Sequence, residues 1–138
     1  MRTSPARLLV ALAAAITLLT GLTGTLSPAA AHTSPATVYP TCTVPGCAAA
    51  RNANMIWGTQ LRYPTARRWF PWPNGQSNFS GGVFGNYEHQ LPAGGDYAEY
   101  DVFPRRQGSP RDAHRIVLDR NTGTVWYSPD HYRNFYQL

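Results

Sequence analysis

Residues 97–102 read Tyr-Ala-Glu-Tyr-Asp-Val, and residues 114–118 read His-Arg-Ile-Val-Leu. Both alternate with the period of two that a β-strand imposes. In the first, Tyr97, Glu99 and Asp101 point one way, and Ala98, Tyr100 and Val102 the other. In the second, Ile116 and Leu118 lie opposite Arg115. Asn121-Thr122-Gly123 then signals a hairpin turn, with a strand over 124–128 after it and another over 133–137. Val83-Phe84 opens a further short strand upstream. Short strands with short connections imply an antiparallel sheet.

Ahead of the strands, residues 48–60 (AAARNANMIWGTQ) form the only stretch with helix-forming character. Ala49, Met55, Ile56 and Trp57 give it an apolar side. Residues 61–82 are full of breakers and aromatics: Tyr63-Pro64, Phe70-Pro71-Trp72-Pro73-Asn74-Gly75 and Gly81-Gly82. They read as a long ordered loop packed by Trp69, Phe70 and Trp72. Residues 32–40 read as a frayed, Pro-rich entry. The expected fold is α+β, a short N-terminal helix packed on a twisted antiparallel sheet of about four to five strands.

The 138 residues divide into a leader and one small domain. Residues 1–31 carry a basic start at Arg2 and Arg7, an apolar run from Leu8 to Leu22, and small residues at Ala29 and Ala31. That is the pattern of a signal peptide, and the run is short for a membrane span. An uncleaved anchor is the alternative. The expected domain is therefore 32–138, in a secreted, extracellular protein with no other membrane segment. Losing the leader takes the net charge from +5 to +3, which suits an anionic partner weakly. All 17 aromatic residues lie after residue 31, enough to build a core and to exclude a disordered tail. Cys42 and Cys47 flank Thr-Val-Pro-Gly, and a type II turn at Pro45-Gly46 brings the thiols together. A local disulfide is the reading in an exported chain. The spacing is not the Cys-x-x-Cys of a redox site, and a metal site would need further ligands, which do not cluster there.

One acid (Glu99), two arginines (Arg111 and Arg115) and one histidine (His131) can meet on a single sheet face. A mid-strand carboxylate is also often just solvated, so the set needs a chemical reason. Cleavage of RNA through its own 2′-hydroxyl supplies one. A carboxylate suits the base that removes the 2′ proton, and a histidine suits the acid that protonates the departing 5′-oxygen. Forked arginine donors match the oxygens of the phosphorane. No cofactor and no metal is required by this scheme.

From Val83 to Tyr136 the chain resembles the secreted guanyl-preferring microbial ribonucleases, the barnase-like group. The matching stretches are Phe84-Gly85-Asn86-Tyr87-Glu88, Leu91-Pro92, residues 97–102, residues 111–117, and Tyr127-Ser128-Pro129-Asp130-His131-Tyr132. Residues 32–82 match poorly. The resemblance implies Glu99 as general base, His131 as general acid and Arg111 with Arg115 on the phosphate. It implies that Tyr132 helps hold the phosphate, and that Asn86, Tyr87 and Glu88 belong to a guanine-recognition loop. In that loop backbone N–H groups address O6, and the Glu88 carboxylate accepts from N1–H and the exocyclic amine. Tyr87 stands where arginine is usual, so stacking on the guanine face takes its place. His89 reads as a surface histidine and His114 as a structural one. The expected partners are single-stranded RNA and a barstar-like inhibitor, with the enzyme a monomer. The alternatives are a non-catalytic RNA- or guanine-nucleotide-binding module of the same fold, and a secreted structural domain whose aromatics only pack.

Overall fold

The computed structural model describes residues 37–138. The proposed leader lies outside the described residues. The elements are β1 (Thr37–Tyr39), α1 (Cys47–Met55, continuing as a π-helical turn over Ile56–Gln60), β2 (Arg68–Pro71), β3 (Ser77–Val83), β4 (Tyr97–Asp101), β5 (Arg115–Asp119), β6 (Val125–Ser128) and β7 (Asn134–Gln137). All the strands join one sheet in the order β1-β7-β6-β5-β4-β3-β2.

This corrects the α+β expectation. The described chain is mostly β, with a seven-stranded sheet and one helix of 14 residues. The sheet is mixed, because β1 pairs with β7 in parallel while the other pairings are antiparallel. Two elements account for the difference. Residues 68–83 form the β2–β3 hairpin, not a loop. Pro71 is tolerated because β2 is an edge strand with no further ladder to lose. The Trp72–Gln76 tip closes the hairpin, with Trp72 N donating to Gln76 O at 2.9 Å and Gly75 in the left-handed region at φ 80°. At the other edge, residues 37–39 form β1 rather than fray, and Tyr39 stacks on Tyr136 at 4.6 Å.

The helix begins where its turn was expected. Cys47 N donates to Val44 O, and Gly46 takes φ 96°, ψ −14°, the left-handed third position of a type II turn. Cys42 and Cys47 form a disulfide with Cα atoms 5.7 Å apart. Trp57 then anchors the helix on the sheet. It is fully buried among Phe70, Trp72 and Tyr100 and donates its indole N–H to Asp101 O at 2.9 Å. Ala98, Tyr100, Ile116, Leu118, Val125 and Tyr127 complete this helix-side core.

The alternation read along 97–102 holds. Ala98, Tyr100 and Val102 serve the helix-side core, while Tyr97 joins a second cluster with Phe84, Leu91, Val117, Trp126 and Phe135 on the other face. The face that carries Glu99 and Asp101 is thus half apolar and half charged. His114 belongs to the helix side, with Nδ1 2.7 Å from the Tyr127 hydroxyl and its ring edge-on to Phe103.

Candidate active site

Glu99 sits at the middle of β4 and is only 8% exposed. Opposite it, β3 carries a bulge between Ser80 and Gly82. The bulge puts Gly81 directly against the carboxylate, since a Cβ at Gly81 would stand 1.8 Å from Glu99 Oε1. A bulge re-aims a strand at such points, and only glycine leaves room for the acid here.

Each carboxylate oxygen of Glu99 is held. Arg111 Nη2 donates to Oε1 at 3.2 Å, and Arg67 Nη1 lies 3.8 Å from the same oxygen. The Tyr132 hydroxyl donates to Oε2. Burial raises the pKa of that hydroxyl, and the neighbouring Glu99 carboxylate raises it further; Arg115 and Arg111 pull the other way without cancelling the rise. Tyr132 therefore stays protonated and acts as a donor. Its ring packs on Phe84 at 4.8 Å and meets the His131 ring at 4.8 Å. Glu99, Tyr132 and His131 form one continuous row, with Arg111 on its flank.

The turn between β6 and β7 holds this row in place. His131 and Tyr132 both adopt left-handed backbone, at φ 56° and 72°. Such residues persist only where the surroundings determine them. Asp130 Oδ1 accepts from the Ser128 hydroxyl and from the backbone N–H of Arg133 and Asn134, and the Ser128 hydroxyl accepts from Tyr132 N. His131 N donates to Ala113 O at 2.9 Å, which ties the turn to the loop carrying Arg111. The His131 side chain remains exposed.

Under Arg111 lies Asp101, fully buried, two residues after Glu99 on the same face. Arg111 reaches it through Nε at 3.0 Å and Nη2 at 2.5 Å, Arg115 through Nη1 at 3.3 Å, and Arg105 through Nη2. Three guanidinium groups thus share one buried carboxylate. Arg115 also donates to the His114 carbonyl, contacts Asp112 at 3.3 Å, and is 2% exposed. The two arginines foreseen in the sequence divide accordingly: Arg111 touches Glu99, while the polar contacts of Arg115 run to Asp101, Asp112 and His114.

The loop after β3 stands beside Phe84 and Tyr132. Asn86, at φ 45°, uses both ends of its side chain within the loop: Nδ2 donates to Leu91 O at 2.9 Å and Oδ1 accepts from Leu91 N at 3.1 Å. It shapes the loop and has little left for a ligand. Tyr87 is 85% exposed, its ring lying close over Gly85, where a Cβ would meet it at 2.3 Å. Glu88 and His89 are exposed, and His89 N closes a turn on Asn86 O.

Sequence reasoning missed Asp101, Arg105, Gly81, Arg67 and Phe79. Asp101 carried a signal, its same-face spacing from Glu99. Arg67 carried none, because its stretch read as loop. Phe79 meets two cations, with the Arg111 guanidinium 4.6 Å and that of Arg67 5.2 Å from its ring centre.

A buried carboxylate, an exposed histidine on a strained turn and a group of arginines lie together here, the types of group that acid–base chemistry on a phosphodiester would use. The sequence pattern of the ribonuclease family matches residues 28–138. The chain belongs to the ribonuclease family, and its activity is RNA cleavage. No curated protein and no solved structure matches it significantly.

Proposed function

We propose that the protein is a secreted, metal-independent endoribonuclease of the barnase-like group, cleaving single-stranded RNA on the 3′ side of guanosine. The observation that carries this reading is the row Glu99–Tyr132–His131 with Arg111 against it. Glu99 accepts the proton of the guanosine 2′-hydroxyl. The 2′-oxygen bonds to phosphorus as the bond to the 5′-oxygen breaks. His131, entering as imidazolium, gives its proton to that 5′-oxygen. The products are a 2′,3′-cyclic phosphate and a free 5′-hydroxyl. Arg111 offers preorganised donors where the phosphorane charge develops, and Asp101 keeps its fork from turning away. Arg115 supports the same cluster from the sheet.

Guanine preference rests on Glu88, whose exposed carboxylate is free to accept both donors of the guanine edge, and on Tyr87 as a stacking ring. Asn86 fixes the loop that carries them by pairing with the Leu91 backbone. Secretion rests on the leader pattern of residues 1–31, a monomer on the small single domain expected from the sequence, and a barstar-like inhibitor on the value of restraining an active ribonuclease in the cell that makes it.

The test is incubation of residues 32–138 with GpA, ApA and the all-deoxy GpA, each with and without EDTA. GpA should yield guanosine 2′,3′-cyclic phosphate faster than ApA yields its product, with EDTA making no difference, and the deoxy dinucleotide should stay intact. Loss of activity in EDTA, or equal cleavage of the deoxy substrate, would overturn the scheme. Tight binding of GpA without turnover would identify a binding module instead.

A further inference from the structure

Arg67 has no place in the scheme above, yet it stands at the base. Its Nη1 lies 3.8 Å from Glu99 Oε1 and donates to Gly81 O at 3.0 Å. Its guanidinium rests over the Phe79 ring, which meets Trp69 edge-on at 5.3 Å, and Arg105 covers Trp69 in turn. The Arg67 side chain is nonetheless 62% exposed. It is a cation held from below and open above, the form of a group awaiting an anion.

We propose that Arg67, propped on Phe79, binds the phosphate on the 5′ side of the guanosine. The inference rests on the guanosine-cleaving reading and adds a second phosphate position to it. The direction follows from in-line displacement. The leaving 5′-oxygen must lie toward His131, which reaches Glu99 through Tyr132 on Oε2. Arg67 approaches the other oxygen, Oε1, from the β2 side. A strand whose 3′ portion departs past His131 carries its 5′ portion past Arg67. Spacing agrees: Arg67 Nη1 and Arg111 Nη2 both face Oε1, at 3.8 and 3.2 Å. Those two legs leave the donor nitrogens room to hold neighbouring phosphates of one strand. Arg111 takes the scissile phosphate and Arg67 the one before it.

The experiment compares GpA, pGpA, ApGpA and GpApA, reading kcat/KM for each. In the parent enzyme the 5′ phosphate should raise kcat/KM about tenfold, the weight of one hydrogen bond to a charged group. Arg67→Ala should bring the ratio of pGpA to GpA down to about one, and Arg67→Lys should recover part of it. The ratio cancels any effect of Arg67 on the chemical step, so equal losses on GpA and pGpA would overturn the subsite and place Arg67 at the scissile phosphate. A dependence on Arg67 that appears for GpApA but not ApGpA would overturn the 5′ direction. The same ratio can be read as equilibrium binding of the uncleavable 2′-deoxy forms of GpA and pGpA, which separates the two claims. Failure to cleave GpA condemns the cleavage reading, and an Arg67-independent binding ratio condemns the subsite.

Discussion

Tyr132 donates its hydroxyl to Glu99 Oε2 while its ring leans on His131, so one residue touches both the proposed base and the proposed acid. The hydroxyl is replaceable without disturbing the ring, which packs on Phe84 and Phe135. Tyr132→Phe should therefore keep the fold and remove one charge-assisted hydrogen bond from the base. Such a bond contributes about 1.5–3 kcal/mol, so kcat/KM on GpA should fall roughly 10- to 100-fold. Parent-like kinetics with an unchanged denaturation midpoint would show that the hydroxyl is idle.

Gly81→Ala attacks the same carboxylate from beneath. The new methyl would sit 1.8 Å from Glu99 Oε1 and within 2.4 Å of the side-chain carbons Cγ and Cδ, so the acid or the bulge must move. Displacing a reacting group by about 1 Å can cost on the order of 10²-fold in rate. The variant should bind substrate while turning it over that much more slowly. A full kcat would mean that the base is not where β4 holds it.

Asp101→Asn removes the charge that three guanidinium groups share. Breaking a buried ion pair from one side costs about 3–5 kcal/mol, because the stranded partners stay buried. Arg115, with its side chain 3% exposed, has no route to water, whereas Arg105 and Arg111 have partial ones. Urea unfolding should show a loss near the lower end of that range, and cleavage should weaken as Arg111 loses its Nε anchor. Stability equal to the parent would mean that the guanidinium groups find other partners.

The elements that build the site were legible in the sequence to different degrees. The two-residue alternation of 97–102 correctly put Glu99 opposite Ala98, Tyr100 and Val102, which the structure packs on the helix side, since a strand shows its sides in its own sequence. The Pro45-Gly46 turn and the Cys42–Cys47 disulfide were equally local and equally readable. The β2–β3 hairpin was hidden because Pro71, Pro73 and Gly75 read as loop, and only the edge position of β2 makes Pro71 harmless. β1 was hidden because three residues pair with a strand nearly a hundred positions away, which no local pattern records. Arg67 went unseen for the same reason, being recruited to Glu99 by that hairpin.

Glu88→Ala separates base choice from chemistry. The carboxylate is exposed, so its removal should leave the fold intact. A site that pairs two donors of its substrate discriminates strongly against analogues lacking them, so the ratio of GpA to ApA cleavage should drop on the order of 10²-fold. Tyr87→Ala should instead weaken both purines together, by roughly 1–3 kcal/mol of stacking. An unchanged ratio in Glu88→Ala would remove the carboxylate from guanine recognition.

The turn that carries His131 and Tyr132 should loosen in acid, and Asp130 sets where. Burial by itself raises the Asp130 pKa, but hydrogen bonds from the Asn134 side chain and backbone, the Ser128 hydroxyl and the Arg133 backbone N–H outweigh it and leave the carboxyl below its ordinary value. A carboxyl depressed in the folded state binds its proton more readily once unfolded. Its contribution to stability is therefore complete above the unfolded value of about 3.9 and is lost as pH falls through the lower folded one. Asp130→Asn removes the charge and, like the protonated carboxyl, puts a hydrogen on one of the two accepting oxygens while leaving the other as an acceptor. Unfolding free energies of the parent and the variant should differ by a constant amount near neutral pH and converge below about pH 4. A gap that persists undiminished to the most acid point would mean that shape rather than charge holds the His131 turn.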